Sequence, residues 1–135
     1  MKIRVYYEDT DMGGIVYHAN YLKFCERARS EYFFKDGDTP HLEGGEFVAA
    51  SLEAKFKASA KLGDILDVRT EITSLKGSSL VLKQCVYKGE KLLFDMDIKL
   101  GFVKEGKIGR MSNQAQEHLL ALFKQDVQSA DQLPV

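Results

Sequence analysis

The sequence predicts an α+β domain in which a curved antiparallel sheet wraps around one long central helix, with a further helix near the C-terminus. Three observations predict it. Apolar residues recur at helical spacing between Ala19 and Lys35. Four strand-like runs follow, and short glycine-containing segments that suit tight turns separate them.

Taken in order, residues 3–7 (Ile-Arg-Val-Tyr-Tyr) read as a short strand that stops at an acidic turn. The loop Glu8 to Gly14 carries paired glycines, which permit positive φ and close backbone approach. In the helix, Tyr21, Cys25, Ala28 and Tyr32 make one apolar stripe. Leu22, Phe24 and Phe33 widen it until the helix is apolar on most sides, as a wrapped helix is. Gly37 is a suitable stop. The strand runs are 47–59, 65–75, 80–87 and 92–103, with turns at 61–64, 76–78 and 88–90. A last helix from Ala115 to Lys124 takes Ser112 or Asn113 as its N-cap. One sheet curled around one helix leaves strand edges and apolar surface uncovered, so a dimer or larger assembly is expected.

The chain of 135 residues is the size of one domain, and residues 126–135 read as a polar, frayed tail. Lys plus Arg total 19 and Asp plus Glu 20, for a net charge of -1. Such a balance provides no field to gather nucleic acid or an anionic membrane, although a local basic rim for a phosphate-bearing ligand is compatible with it. No signal peptide and no spanning segment is visible, which points to a cytoplasmic protein. Cys25 and Cys85 stand outside any metal-ligand spacing and fit reduced thiols better than a disulfide framework.

Chemistry concentrates between Tyr6 and Tyr21, where Glu8, Asp9 and Asp11 precede two glycines and His18. A helix start has unpaired N–H groups and partial positive charge, which would polarise a carbonyl placed against it. A carboxylate beside that carbonyl could attack it or direct a water at it, which suits acyl transfer or hydrolysis. By residue chemistry alone, such a loop is more often only a turn with a favourable dipole. Glu8, Asp9, Asp11 and His18 match no recognised metal-ligand spacing, and neither phosphate-loop pattern is present, so no metal or cofactor is expected. His41 and His118 read as loop and helix-surface residues. Lys55, Lys57 and Lys61 read first as a solvated strand face.

The run Arg4-Val5-Tyr6-Tyr7-Glu8-Asp9-Thr10-Asp11, continued by Gly13-Gly14-Ile15-Val16-Tyr17-His18-Ala19-Asn20-Tyr21, resembles the signature of the 4-hydroxybenzoyl-CoA thioesterase family. Glu26-Arg27-Ala28-Arg29-Ser30-Glu31 carries the likeness into the helix, and Ser59 to Asp64 is similar to the family's Gly-Asp turn. The wording is most similar to the YbgC-type branch, found with the Tol-Pal genes. The resemblance implies a hotdog fold, with dimers or tetramers whose active sites lie between subunits. It implies hydrolysis of an acyl-CoA, with Asp11 as nucleophile or general base and the amide at His18 as the oxyanion donor. Asp9 would be structural. Tyr7 and His18 would belong to the site, Gly14 and Ser59 would touch substrate, and Lys57 or Lys61 would meet the CoA phosphates.

Two rivals follow from the same resemblance. An acyl-thioester dehydratase of this fold would place its acid on the helix, at Glu26 or Glu31. A scaffold of phospholipid or envelope metabolism that binds acyl carrier protein would need no hydrolysis. The position of Asp11 ahead of the helix favours the thioesterase.

Overall fold

Helix α1 forms where the apolar spacing places it. In the computed structural model, which describes residues 1–125, it spans Asn20–Lys35. Asp36 closes it, Gly37 takes φ +78°, and the amides of Gly37 and Asp38 donate to the carbonyls of Phe34 and Phe33 at 2.9 and 3.0 Å. This pair of bonds is a Schellman cap, which requires the left-handed conformation that glycine adopts freely. Tyr21, Phe24, Cys25, Ala28 and Phe33 are buried. Leu22 and Phe34 are exposed, so the helix is covered on fewer sides than its composition suggests.

Around it, among the described residues, runs a seven-stranded antiparallel sheet. The strands are β1 (Lys2–Arg4), β2 (His41–Leu42), β3 (Gly45–Phe56), β4 (Ile65–Lys76), β5 (Ser79–Lys88), β6 (Lys91–Lys104) and β7 (Lys107–Ile108), in the order β1-β4-β5-β6-β3-β2 with β7 against β6. Irregularities between Ala49 and Ser51, Ile72 and Ser74, and Val86 and Tyr87 interrupt the registers. Bulges of this kind increase twist and bend a strand, which helps the sheet curl. Leu66, Val68, Leu80, Leu82, Val86, Phe94, Met96, Ile98 and Phe102 are almost fully buried and form the core with α1. Each such side chain is stabilised by about 1.5–3 kcal/mol relative to exposure.

Helix α2 (Asn113–Leu122) begins with Ser112 as N-cap, its hydroxyl accepting the Ala115 amide at 3.0 Å. It packs back through Phe123, whose ring stacks on Tyr32 of α1 at 4.4 Å. Both cysteines are free thiols, and burial pushes the Cys25 thiol up to about 12.

Several boundaries move. The strand expected over 3–7 is paired only at 2–4, and Tyr7–Asp9 form a 3-10 turn held by the Asp9 carboxylate, which accepts the Tyr6 amide at 2.8 Å. Strand β3 ends at Phe56, short of Ser59, because Lys57 and Ala58 both donate to the Leu93 carbonyl and the chain turns out of the ladder. Strands β2 and β7 were not foreseen. Helix α2 ends before Lys124. The tail expected over 126–135 lies outside the described residues.

Candidate active site

The loop between β1 and α1 is fixed from both sides before any functional group is placed on it. Val5 exchanges backbone bonds with the Gly63-Asp64 turn, since the Val5 amide donates to Asp64 and the Gly63 amide to Val5, each at 2.9 Å. The Asp9 carbonyl, at a residue only 7% exposed, accepts from the Tyr17 amide and from the Asn20 side chain, both at 2.9 Å. Further on, the Val16 amide donates to the Ala60 carbonyl, and Ile15 and Lys61 form an isolated bridge. The segment Asp11 to Ile15 is thereby a tight hairpin pinned to the 60–61 segment.

At its tip the Asp11 amide donates to Ile15, and the Gly14 amide returns to the Asp11 carbonyl at 3.0 Å. Gly14 takes φ +79°, which a side chain would strain. One carboxylate oxygen of Asp11, Oδ1, accepts the Gly13 amide at 2.8 Å. That bond orients the group while its other oxygen has no partner among the described residues.

The start of α1 supplies a complementary feature. The amides of Asn20, Tyr21 and Leu22 donate to Tyr17, His18 and Ala19, so the first turn closes on itself. Among the described residues, the amides of His18 and Ala19 have no acceptor. They are the unfilled donors that a helix start presents.

Asp11, Ile15, Val16, His18, Tyr21, Phe56, Lys57, Ala58 and Ser59 line one cleft of about 310 Å3. Its apolar wall is aromatic: Phe56 lies 6.0 Å from both the His18 and Tyr21 rings, and Tyr21 stacks on Phe94 at 5.1 Å. The Tyr21 hydroxyl accepts the Ala60 amide at 3.2 Å, and burial raises its pKa, with that bond opposing. It is a wall of the cleft and an anchor for the segment at Ala60.

The structure therefore brings Asp11, His18, Lys57 and Ser59 to one cleft. Tyr7 is 84% exposed and lies outside its lining, as do Gly14 and Lys61, although Lys61 flanks the cleft through its bridge to Ile15. Lys57 and Lys61 form no ion pair among the described residues. Nearby, Arg4 donates to the Gly63 carbonyl, and Lys88 pairs with Asp64 at 3.0 Å. Asp64 is held below the usual carboxylate range, chiefly because it accepts the Lys61 amide. Among the described residues, no group of three or more His, Cys, Asp and Glu side chains converges as a metal site.

Tyr21, Phe56 and Asn20 are additions that the sequence reading did not single out for the site. Tyr21 and Phe56 read there as core and strand residues, and nothing in their spacing marks a cleft. Asn20 follows His18 at the helix start, where an asparagine amide commonly ties a loop; that signal was available.

Comparison with known proteins gives the family. The model of a family described as the thioesterase superfamily matches residues 13–94. The acyl-CoA thioesterase YbgC of Helicobacter pylori is 48% identical over 112 residues, covering 76% of this chain and 84% of that protein. The acyl-CoA thioesterase YbgC of Haemophilus influenzae is 39% identical over 110 residues, covering 78% and 81%. Among solved structures, a probable thioesterase from Bartonella henselae superposes with a TM-score of 0.77 at 33% identity, over 83% of this chain and 97% of that one.

Proposed function

We propose that this chain, which belongs to the thioesterase superfamily and is an acyl-CoA thioesterase, works through Asp11. The observation that carries the reading is that one cleft is lined both by Asp11 and by His18, the residue whose backbone amide, just ahead of α1, has no acceptor among the described residues. The thioester carbonyl oxygen points at the His18 amide, with the Ala19 amide alongside. Charge that develops on that oxygen is stabilised by donors already in place, which reorganise little as it forms.

Asp11 then uses its free oxygen in one of two ways. As a nucleophile it attacks the carbonyl carbon; the CoA thiolate leaves, and water cleaves the mixed anhydride to free acid and carboxylate. As a base it takes a proton from water, whose oxygen attacks the same carbon while the thiolate leaves. Tyr21 and Phe56 form the apolar wall for the acyl group beside the carbonyl. Ser59 borders the same space, Gly14 shapes the turn that carries Asp11, and Tyr7, exposed outside the lining of the cleft in one copy, is kept as a member of the interfacial site. Lys57 and Lys61 are assigned to the CoA phosphates, since both are exposed cations beside the cleft with no ion-pair partner among the described residues. An acyl carrier protein offers the same pantetheine-linked carbonyl and is a compatible partner. The working form is a homo-oligomer, dimer or tetramer, with the cleft at the subunit interface.

Thiol release from a panel of acyl-CoAs, short to long and including benzoyl, tests this. Turnover on at least one is expected and names the substrate class. Silence on all CoA esters, with turnover of a carrier-protein thioester, would move the reaction to that donor.

A further inference from the structure

Tyr21 carries a hydroxyl in a place where a phenylalanine ring would pack equally well. It stands in the first turn of α1, is 3% exposed, and stacks on Phe94 at 5.1 Å. Phe24 and Phe56 meet it edge-on at 5.9 and 6.0 Å. A hydroxyl buried among rings is costly unless it is bonded. Here it accepts the Ala60 amide at 3.2 Å, from a residue that is itself fully buried. That amide needs a side-chain acceptor because the chain has left the sheet. Strand β3 ends at Phe56, and Lys57 and Ala58 both turn their amides to the Leu93 carbonyl. Among the described residues, no backbone carbonyl accepts the Ala60 amide, so the hydroxyl takes that place.

The bond joins two sides of the cleft. On one side the Tyr21 amide donates to the His18 carbonyl at 3.4 Å, which ties the tyrosine to the residue whose own amide has no acceptor among the described residues. On the other side the Ala60 carbonyl accepts the Val16 amide at 2.9 Å, and Ile15 bridges Lys61. The Ile15 carbonyl in turn accepts the Asp11 amide at 2.9 Å. Ala60 therefore has one backbone group on the helix start and the other on the hairpin of Asp11. Val16, Tyr21, Ala58 and Ser59 all line the cleft between them.

We propose that the Tyr21 hydroxyl is a positioning group for the reaction: through Ala60 it sets the Asp11 hairpin against the donor amide of His18. The ring borders the acyl group, while the hydroxyl acts on the chemistry only through Ala60. This rests on the reading of Asp11 and His18 given above and adds a further residue to it. A ring held by three aromatic neighbours has little freedom to follow a displaced segment, so loss of the bond frees the Ala60 segment and the hairpin attached to it. A displacement of about 1 Å between reacting groups can cost about a hundredfold in rate.

Tyr21→Phe keeps the ring and its stacking and removes only the bond. Thiol release at saturating acyl-CoA, read well below the melting temperature, is expected to fall about 10- to 100-fold, with KM changed less than about threefold. In the folded variant the Ala60 amide is expected to exchange its hydrogen about tenfold faster or more; unchanged exchange would show that the bond holds nothing in place. The decisive readout is the same substitution made in Asp11→Asn. With no carboxylate to place, the hydroxyl has nothing further to position, so residual turnover is expected to change less than about threefold. An equal fractional loss in both backgrounds would overturn the proposal, as would Tyr21→Phe turnover within about twofold of wild type. Gln84→Leu, a destabilising change outside the lining of the cleft, is the control and is expected to keep the wild-type kcat below its melting temperature. A loss there equal to that of Tyr21→Phe would assign the effect to stability alone. Asp11→Asn by itself reads the chemistry separately: near-wild-type turnover would remove the group that Tyr21 positions, whatever Tyr21→Phe does.

Discussion

The side-chain amide of Asn20, the first residue of α1, donates to the backbone carbonyl of Asp9 at 2.9 Å. The same carbonyl accepts the Tyr17 amide, so the helix start and the loop that bears Asp11 share one anchor. Asn20→Ala removes half of it. A bond of this type contributes about 0.5–1.5 kcal/mol, so the melting temperature is expected to fall by only a few degrees. The larger effect should be on turnover, because a loop displaced by ~1 Å can lower rate by about a hundredfold. A fall in kcat at nearly unchanged melting temperature is the expected signature; equal loss of both would assign Asn20 to stability alone.

Gln84 is fully buried and makes three polar contacts. Its amide nitrogen donates to the Cys25 carbonyl at 2.8 Å and the Thr70 hydroxyl at 3.0 Å, and its oxygen accepts from Arg29 at 3.3 Å. Burial lowers the pKa of Arg29, with Glu26 opposing, so this guanidinium needs its polar partners. Gln84→Leu keeps much of the volume and removes all three bonds. A loss of about 2–4 kcal/mol is expected in denaturant unfolding. A change below about 0.5 kcal/mol would mean that water or side-chain motion replaces the lost bonds.

The turn between β2 and β3 is tied to α2 by a carboxylate. Glu43 accepts from the Ser112 hydroxyl at 2.6 Å and from the Ser112 amide at 2.9 Å, and these bonds, the hydroxyl first, hold its pKa below the usual glutamate range. A group depressed in the folded state contributes stability that is present above its unfolded pKa of about 4.3 and is lost as pH falls through its folded value. Melting of wild type against Glu43→Gln should therefore differ at neutral pH and converge as pH falls below about 4. Curves that stay parallel down to acid would show that the contact carries no titrating contribution.

His18 is assigned a role through its backbone, which a side-chain substitution leaves in place. His18→Ala is expected to reduce kcat by less than about tenfold, well short of the 10²–10³ that loss of an oxyanion donor produces. A drop of a thousandfold with the fold intact would make the imidazole itself a participant.

Much of this was legible in the sequence, and the reasons differ by element. Helix α1 was readable because the stripe through Tyr21, Cys25 and Ala28 repeats at 3.6 residues and Gly37 ends it. Strands β4, β5 and β6 alternate well enough to be found, and their turns are glycine-marked. Strands β2 and β7 were missed because their hairpin turns are Glu43-Gly44 and Glu105-Gly106, in which a glutamate takes positive φ; the common signals at such turns are Asn-Gly and Asp-Gly. Of the cleft, the loop residues Asp11 and His18 stood out by chemistry and resemblance. Phe56 did not, because its place beside His18 depends on where β3 leaves the ladder, which no local pattern encodes.

The central claim is that the Asp11 carboxylate performs the chemistry. Steady-state thiol release from the best acyl-CoA, compared between wild type and Asp11→Asn with circular dichroism confirming the fold, tests it directly. The account predicts a fall in kcat of about 10³-fold or more with little change in the fold. An Asp11→Asn protein that turns over within about tenfold of wild type would contradict it and place the catalytic group elsewhere in the cleft.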